Sequence, residues 1–295
     1  NLALNGPNVF EVRRYLEHVI ANQQNLERVI LGIDFFMFNA DLANQPTFLD
    51  ERLSKRHLVA TDKLNTLFSW DALMASIESL QLSRMPLDAD SSAPSWGFAP
   101  NRQATGTKIL NWRFDGGIRL YFQLHRHFEL SDEYMAEFAK IVEICREQDI
   151  ELDIFISPAH VSQWEALRAT GRWDLFEGWK RQIVEITPVW DFSGYHTISS
   201  EPITPERKNY VDNSHYQPEI GALLLNRILD YDTEALPDDF GVWLTPSNID
   251  EHLATIRQER AAWSSAYPDQ IKWINRLYRE VQKENGELSA ADTER

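Results

Sequence analysis

The alternation of short apolar runs with amphipathic helical segments is the feature that most constrains how this chain can fold. Residues 28–33 form a nearly continuous apolar run, which is typical of a strand buried on both faces of a sheet. Apolar residues recur at helical spacing from Val9 to Ile20, and Asn8 stands where it can cap that helix. With residues 1–6 interpreted as the end of an earlier strand, the first segment is predicted to be a βαβ unit, which implies parallel pairing.

The same alternation returns after Ser131. Met135, Phe138, Ile141 and Cys145 lie on one face of a predicted helix, which indicates a core position for the cysteine. The segments that follow are predicted to be a strand over 150–156, helices over 161–170 and 173–186, a short strand over 189–190 and a helix over 217–229. This order of elements predicts the α/β class.

The pattern loosens in two parts of the chain. Residues 41–103 are interpreted as an insertion that covers part of the main domain, with a helix predicted over 61–82. Residues 233–295 are predicted to be a C-terminal extension with two helices and a polar tail. The organisation predicted is therefore an α/β domain over 1–232, with the insertion inside it, followed by the helical extension.

Composition excludes several classes of protein. The 295 residues carry a net charge of −16, which opposes binding to the phosphate backbone of nucleic acids. No apolar run approaches the 18 residues or more that a membrane-spanning helix needs. The single cysteine excludes an intrachain disulfide. Because the chain begins abruptly at Asn1, we expect a fragment whose upstream part, including any signal or anchor, is missing.

Candidate site residues follow from the topology. In open parallel sheets, ligands bind beyond the carboxyl ends of the strands. The polar residues and the glycine that this rule selects at the predicted strand ends, and in the loop before the helix over 217–229, are Gly6, Asn8, Asp34, Ser157, His160, Asp191, Asp212 and His215.

The sharpest local pattern is Asp212-Asn213-Ser214-His215, just ahead of a predicted helix. An aspartate three residues before a histidine can direct its carboxylate onto the imidazole, fix the tautomer and make the histidine a general base. On spacing alone, a histidine that helps to cap the helix beside a solvated aspartate is the commoner arrangement.

Other chemistries have weaker support. His125, His127, His160, His196 and Asp191 carry groups that suit zinc, but their spacings match no standard metal site, so no metal is predicted. Ser157 lacks the glycine-flanked turn that exposes nucleophilic serines, and is interpreted as part of a pocket wall. The chain has no phosphate-binding glycine loop, so no nucleotide cofactor is predicted. The ten tryptophans are interpreted mainly as core residues, with a sugar-stacking groove as the alternative.

The arrangement resembles the SGNH (GDSL-like) hydrolase superfamily, in its cell-envelope branch related to the alginate O-acetyltransferases. Asn5-Gly6 is similar to the family's second block, which supplies an oxyanion-hole glycine. Gly32-Ile33-Asp34-Phe35 occupies the place of the third block, and Asp212 to His215 matches the last block. The resemblance covers roughly residues 1–40 and 150–230. It implies a three-layer α/β sandwich with a central parallel sheet of flavodoxin-like type.

Two departures from the family pattern matter. No segment of the chain resembles the block that carries the nucleophilic serine, so the resemblance implies a serine upstream of Asn1. Asp34 stands where the family has an asparagine, and an ionised carboxylate there would repel a developing oxyanion. A protonated Asp34, or a donor such as Asn39 or Asn8, would remove that conflict.

The resemblance implies an esterase or O-acyltransferase that acts on a cell-envelope carbohydrate ester. His215 would be the base, Asp212 its orienting group and the Gly6 amide the oxyanion donor. The partners implied are a carbohydrate or other small ester, and a membrane only through an anchor outside this chain. The location implied is the periplasm or the membrane of a bacterial envelope, and the oligomeric state is left open. The alternative is a non-catalytic envelope protein that binds or assembles, which Asp34 favours.

Overall fold

The computed structural model describes residues 2–55, 73, 74, 76 and 107–287. In order, its main elements are α1 (Val9–Asn22), β1 (Arg28–Ile33), a 3-10 turn (Phe35–Phe38), α2 (Asp50–Leu53), α3 (Thr107–Leu124), α4 (Asp132–Glu147), β2 (Glu151–Ile156), α5 (Val161–Ala169), α6 (Trp173–Ile186), β3 (Val189–Asp191), α7 (Pro218–Ile228), a second 3-10 turn (Thr233–Ala235), β4 (Val242–Leu244), α8 (Ile249–Ala266) and α9 (Pro268–Glu284). The protein is therefore of the α/β class.

The four strands form one mixed sheet in the order β1-β2-β3-β4. β1 pairs with β2, and β2 with β3, in parallel, so all three end at the same edge. Ile33 pairs with Ile156, which sets the next residues, Asp34 and Ser157, beside each other. β4 runs antiparallel to β3, so the prediction of a parallel sheet is right for the first three strands and wrong for the fourth.

Apolar clusters cover both faces of β2. Ile154 and Ile156 belong to the largest buried cluster, which also contains residues of α1, α4, α5, α6 and α8. Phe155 packs against a second cluster, built from α3, α7 and the loops between β3 and α7. Alternate residues of a strand point to opposite faces, so helices and loops on both sides bury the sheet.

Local signals explain where the helices begin. The Asn8 side chain accepts a hydrogen bond from the Glu11 amide at 3.0 Å, and Glu11 accepts one from the Asn8 amide at 3.1 Å, so the two residues form a capping box. Ser131 caps α4, and Pro218 occupies the first turn of α7. The predicted helices over 9–20, 161–170, 173–186 and 217–229 are confirmed to within about two residues at each end.

Several predictions need correction or lie outside the described residues. Residues 2–4 form no strand, so the first unit is a helix followed by a strand rather than βαβ. Except for residues 73, 74 and 76, the predicted helix over 61–82 lies outside the described residues, and so does most of the insertion over 41–103. Residues 242–244 of the extension form β4, which pairs with the main sheet, so the extension is not purely helical. No described helix has the length and apolarity needed to cross a membrane.

Candidate functional site

The Asp212–His215 segment is a tight loop whose shape follows from the aspartate. Tyr210 and Tyr216 form a β-bridge, and the Val211 amide donates to the His215 carbonyl at 2.8 Å. Inside this closure, Asp212 Oδ1 accepts hydrogen bonds from the amides of Ser214 and His215, both at 2.8 Å. Such bonds from a side chain to the backbone of its own turn are typical of aspartate. An aspartate three residues before His215 therefore shapes the loop and also pairs with the imidazole.

The loop sets the imidazole of His215 against the Asp212 carboxylate. Nδ1 lies 2.8 Å from Oδ2 and 3.0 Å from Oδ1. The His215 side chain is 65% exposed and that of Asp212 19% exposed. With the proton on Nδ1 facing the carboxylate, Nε2 carries the lone pair, and no described residue forms a hydrogen bond with it. The predicted pairing of Asp212 with His215 is confirmed, and the geometry is that of a base with an orienting carboxylate.

The electrostatics of the pair agree with this arrangement. The hydrogen bond to Asp212 raises the pKa of His215 above its ordinary value. Burial and the Arg113 cation oppose this rise, whereas the Asp34 carboxylate adds to it. Burial alone would raise the pKa of Asp212, but the hydrogen bond and charge of His215 hold it below its ordinary value. The pair therefore holds a proton on His215 more firmly than a free imidazole does.

Asp34 and Ser157 lie at the same edge of the sheet. Burial raises the pKa of Asp34 to about 6, while a hydrogen bond from the Ser157 side chain and the nearby His215 both lower it. The structure thus brings together the ends of β1 and β2 and the Asp212–His215 loop, as the topology predicts. At pH 7 Asp34 is mostly ionised, so the protonated form considered above is the minor one.

His160 packs beneath the Asp212–His215 loop in the interior of the protein and does not line an open pocket. It is fully buried, its amide donates to the Asn213 carbonyl at 3.1 Å, and its Nε2 lies 2.9 Å from the Glu201 carbonyl. Burial lowers the pKa of His160 to about 4; its bond to the Glu201 backbone opposes this, and Arg207 adds to it. His160 is therefore neutral at physiological pH and holds the loop in place.

Glu201 and Arg207, which no sequence pattern indicates, hold the backbone just before Asp212 through hydrogen bonds. The Glu201 carboxylate accepts hydrogen bonds from the amides of Lys208, Asn209 and Tyr210, at 2.7 to 3.0 Å. Arg207 donates through Nε to the Tyr210 carbonyl at 2.8 Å and through Nη2 to the Val211 carbonyl at 3.3 Å. These bonds run from side chain to backbone and carry no sequence motif, so only the fold reveals them.

Two of the predicted site residues, Asn8 and Asn39, have structural roles instead. Asn8 caps α1, and its Nδ2 donates to Asn44 Oδ1 at 2.8 Å. Asn39 is buried, and its Oδ1 accepts from the amides of Asp41 and Glu129. Its donor group, Nδ2, donates to the Leu124 carbonyl at 3.5 Å and so is used away from the site. The Gly6 carbonyl accepts from Gln45 Nε2 at 2.6 Å, and the described contacts do not test the oxyanion role assigned to its amide.

Asp191 belongs to a different cluster. Its Oδ2 lies 2.5 Å from Lys180 Nζ and 2.8 Å from His252 Nε2, and its Oδ1 accepts from the Ser193 amide at 2.9 Å. Burial alone would raise the pKa of Asp191, but Lys180 and His252 hold it well below its ordinary value. Asp191 is therefore a closed, buried ion-pair partner and not part of the His215 site.

Within the described ranges, no three His, Cys, Asp or Glu side chains are grouped so that they could hold a metal ion.

Compared with models of protein families, with curated proteins and with solved structures, the chain matches none of them. The geometry of the site therefore carries the functional argument.

Proposed function

We propose that this chain carries the histidine–aspartate part of an ester-cleaving site, in an esterase or O-acyltransferase that acts on a cell-envelope carbohydrate ester. The observation that carries the proposal is the Asp212–His215 pair, with Nδ1 held at 2.8 Å from the carboxylate and an imidazole that is 65% exposed. A buried pair would be closed to substrate. An oriented imidazole with a free outer nitrogen is suited to take a proton from a nucleophile.

In the proposed mechanism, a serine on a segment outside these 295 residues is the nucleophile. His215 Nε2 removes the proton from the serine hydroxyl as its oxygen attacks the ester carbonyl, and the Gly6 amide stabilises the oxyanion. The protonated imidazole then donates that proton to the leaving alcohol. His215 next takes a proton from water in an esterase, or from a sugar hydroxyl in a transferase, as that oxygen attacks the acyl carbonyl. The bond between the acyl group and the serine then breaks, and the imidazolium returns the proton to the serine oxygen.

The SGNH resemblance extends the proposal to the fold and the location. Parallel strands β1 to β3, apolar clusters on both faces of β2 and polar residues at the strand ends support a three-layer sandwich of that type. The cell-envelope branch of the family suggests a periplasmic or membrane-anchored protein, with any anchor outside this chain.

The test measures ester hydrolysis by the full-length product of the gene. We expect His215→Ala to lower kcat/KM on an acetylated saccharide by about 10³-fold or more, because the general base is lost. The exposed His127, changed to Ala, is the control and should leave kcat/KM unchanged. Equal turnover by the His215→Ala variant and the parent protein would refute the assigned base.

One observation favours a second candidate, a non-catalytic envelope protein that binds carbohydrate or assists assembly. Asp34 lies close to His215 with a pKa of about 6, so a carboxylate is present at neutral pH where the family's asparagine donates to the oxyanion. This candidate predicts no ester turnover by the full-length product and saccharide binding that survives His215→Ala. Turnover that depends on His215 would exclude it.

A further inference from the structure

One face of α3 lies along the candidate site. Gly117 packs so closely on Asn213, two residues before His215, that a Cβ at position 117 would collide with Asn213 Oδ1. Tyr121 lies one turn further along this face, where the Asp34 carboxylate adds to the effect of burial in raising its pKa. Side chains at i and i+4 are neighbours on a helix. Arg113, one turn before Gly117, therefore lies on the face of α3 that borders the loop.

The residue next to Arg113 fixes the orientation of the helix at this point. Phe114 is fully buried, with its ring centroid 5.2 Å from that of His160 and 6.0 Å from the guanidinium carbon of Arg207. The half-buried Arg113 is thereby held at the rim of the core, on the side of the His215 loop.

Arg113 differs from most other described arginines in its ion pairing. No carboxylate of the described residues forms an ion pair with it, although most other described arginines have one. The positive charge of Arg113 acts to lower the pKa of His215 and of Arg207. The two carboxylates of the same site are already engaged, Asp212 with His215 and Asp34 with Ser157. The half-buried Arg113 cation is therefore available to an external anion.

We propose that Arg113 binds an anionic group of the ligand, a carboxylate or a phosphate, next to His215. The proposed function would then act on an ester that also carries a negative charge, with the guanidinium positioning it through paired N–H donors. The proposal rests on the proposed function in taking His215 as the site, but anion binding is measured without catalysis.

The test uses the 295-residue chain and follows the His215 ring by NMR during pH titration, at constant ionic strength. Inorganic phosphate and acetate are the two probes. Comparing them shows whether Arg113 binds a phosphate or a carboxylate group. An anion bound beside His215 favours its protonated form, so we expect a saturable rise in its pKa with at least one probe. In Arg113→Gln the affinity should fall by about tenfold or more, and Arg113→Lys should restore part of it.

Arg119→Gln, on the same helix but paired with Glu280 and Glu284, is the matched control and should keep the parent response. A saturable response that survives unchanged in Arg113→Gln, or no saturable response to either anion in the parent chain, would overturn the proposal. Failure of ester hydrolysis in the full-length product would leave this result standing, so the two failures are distinguishable.

Discussion

Two aspartate–histidine pairs are found among the described residues, one at the end of β3 and one in the loop before α7, and both have an N···O distance of 2.8 Å. In the Asp212–His215 pair, the imidazole is 65% exposed, and no other basic group in the described part of the chain forms an ion pair with the carboxylate. In the Asp191–His252 pair, the histidine is 11% exposed and the carboxylate fully buried, with Lys180 on the same oxygen. The comparison shows that access and unsatisfied charge, rather than pair geometry, distinguish a candidate base from a structural contact.

The Asp191 cluster connects three elements. Lys180 comes from α6, Asp191 from the end of β3 and His252 from α8, while Lys180 Nζ also donates to Ser193 Oγ at 2.6 Å. Asp191 Oδ2 is shared by Lys180 and His252, and its Oδ1 accepts from the Ser193 amide. Such a closed network is stabilising only while complete, because removing one charge leaves the other buried without a partner.

The largest expected effect is therefore that of Asp191→Ala. It leaves the Lys180 ammonium buried and uncompensated, which should lower the free energy of unfolding by about 3 to 5 kcal/mol. The double variant Lys180→Met, Asp191→Leu removes both charges and should regain most of that loss. Urea unfolding at pH 7 measures both. A loss no larger than that of His215→Ala, expected below about 1 kcal/mol because the imidazole is 65% exposed, would contradict the comparison.

Gly117→Ala tests the packing that holds the exposed pair. A Cβ at this position collides with Asn213 Oδ1, so Asn213 must shift, and we expect a net destabilisation of about 1 to 3 kcal/mol. The neighbouring Gly116→Ala is the control: it adds the same methyl group to the same helix, where no atom lies within 4 Å. Helix propensity should make that control neutral or more stable, by up to about 1 kcal/mol. Equal effects of the two substitutions in urea unfolding would remove the proposed role of the Gly117 contact.

Asp34→Asn tests the carboxylate beside the exposed pair. Asp34 has a folded pKa of about 6 against an ordinary 3.8, so folding favours its protonated form, and its ionisation lowers stability as pH rises through about 6. Asparagine has no such charge and can still accept the Ser157 hydrogen bond. We expect about 1 to 2 kcal/mol of added stability at pH 7 that largely disappears near pH 4. Thermal unfolding at the two pH values measures it, and a gain that does not depend on pH would contradict the assignment.

The sequence predicts much of the frame and one part of the site. The strand over 28–33, the Asn8 cap and the Asp212–His215 pair depend on local patterns, and the structure confirms them. β4 has only three residues, too few for a periodic signal in the sequence. It forms by pairing its backbone with the open edge of β3. The partners of Asp191 come from residues 11 and 61 positions away, so no spacing rule reveals them. Side-chain bonds to backbone, as made by Glu201 and Arg207, likewise depend on the folded loop.

The smallest expected effect on stability is that of Asp212→Asn, which acts on the exposed pair alone. The amide cannot stabilise the imidazolium as the carboxylate does, so the pKa of His215 should fall from its raised value towards or below the ordinary 6.5. Because the folded pKa is raised, the pair adds stability at low pH that is lost as pH rises through that pKa. The exposure of His215 limits this contribution to less than about 1 kcal/mol. NMR titration of the His215 ring measures the shift, with unchanged signals from the largely buried His252 ring as the control for an intact fold. An unchanged titration of His215 would show that Asp212 does not tune the base, and the distinction between the two pairs would then depend on exposure alone.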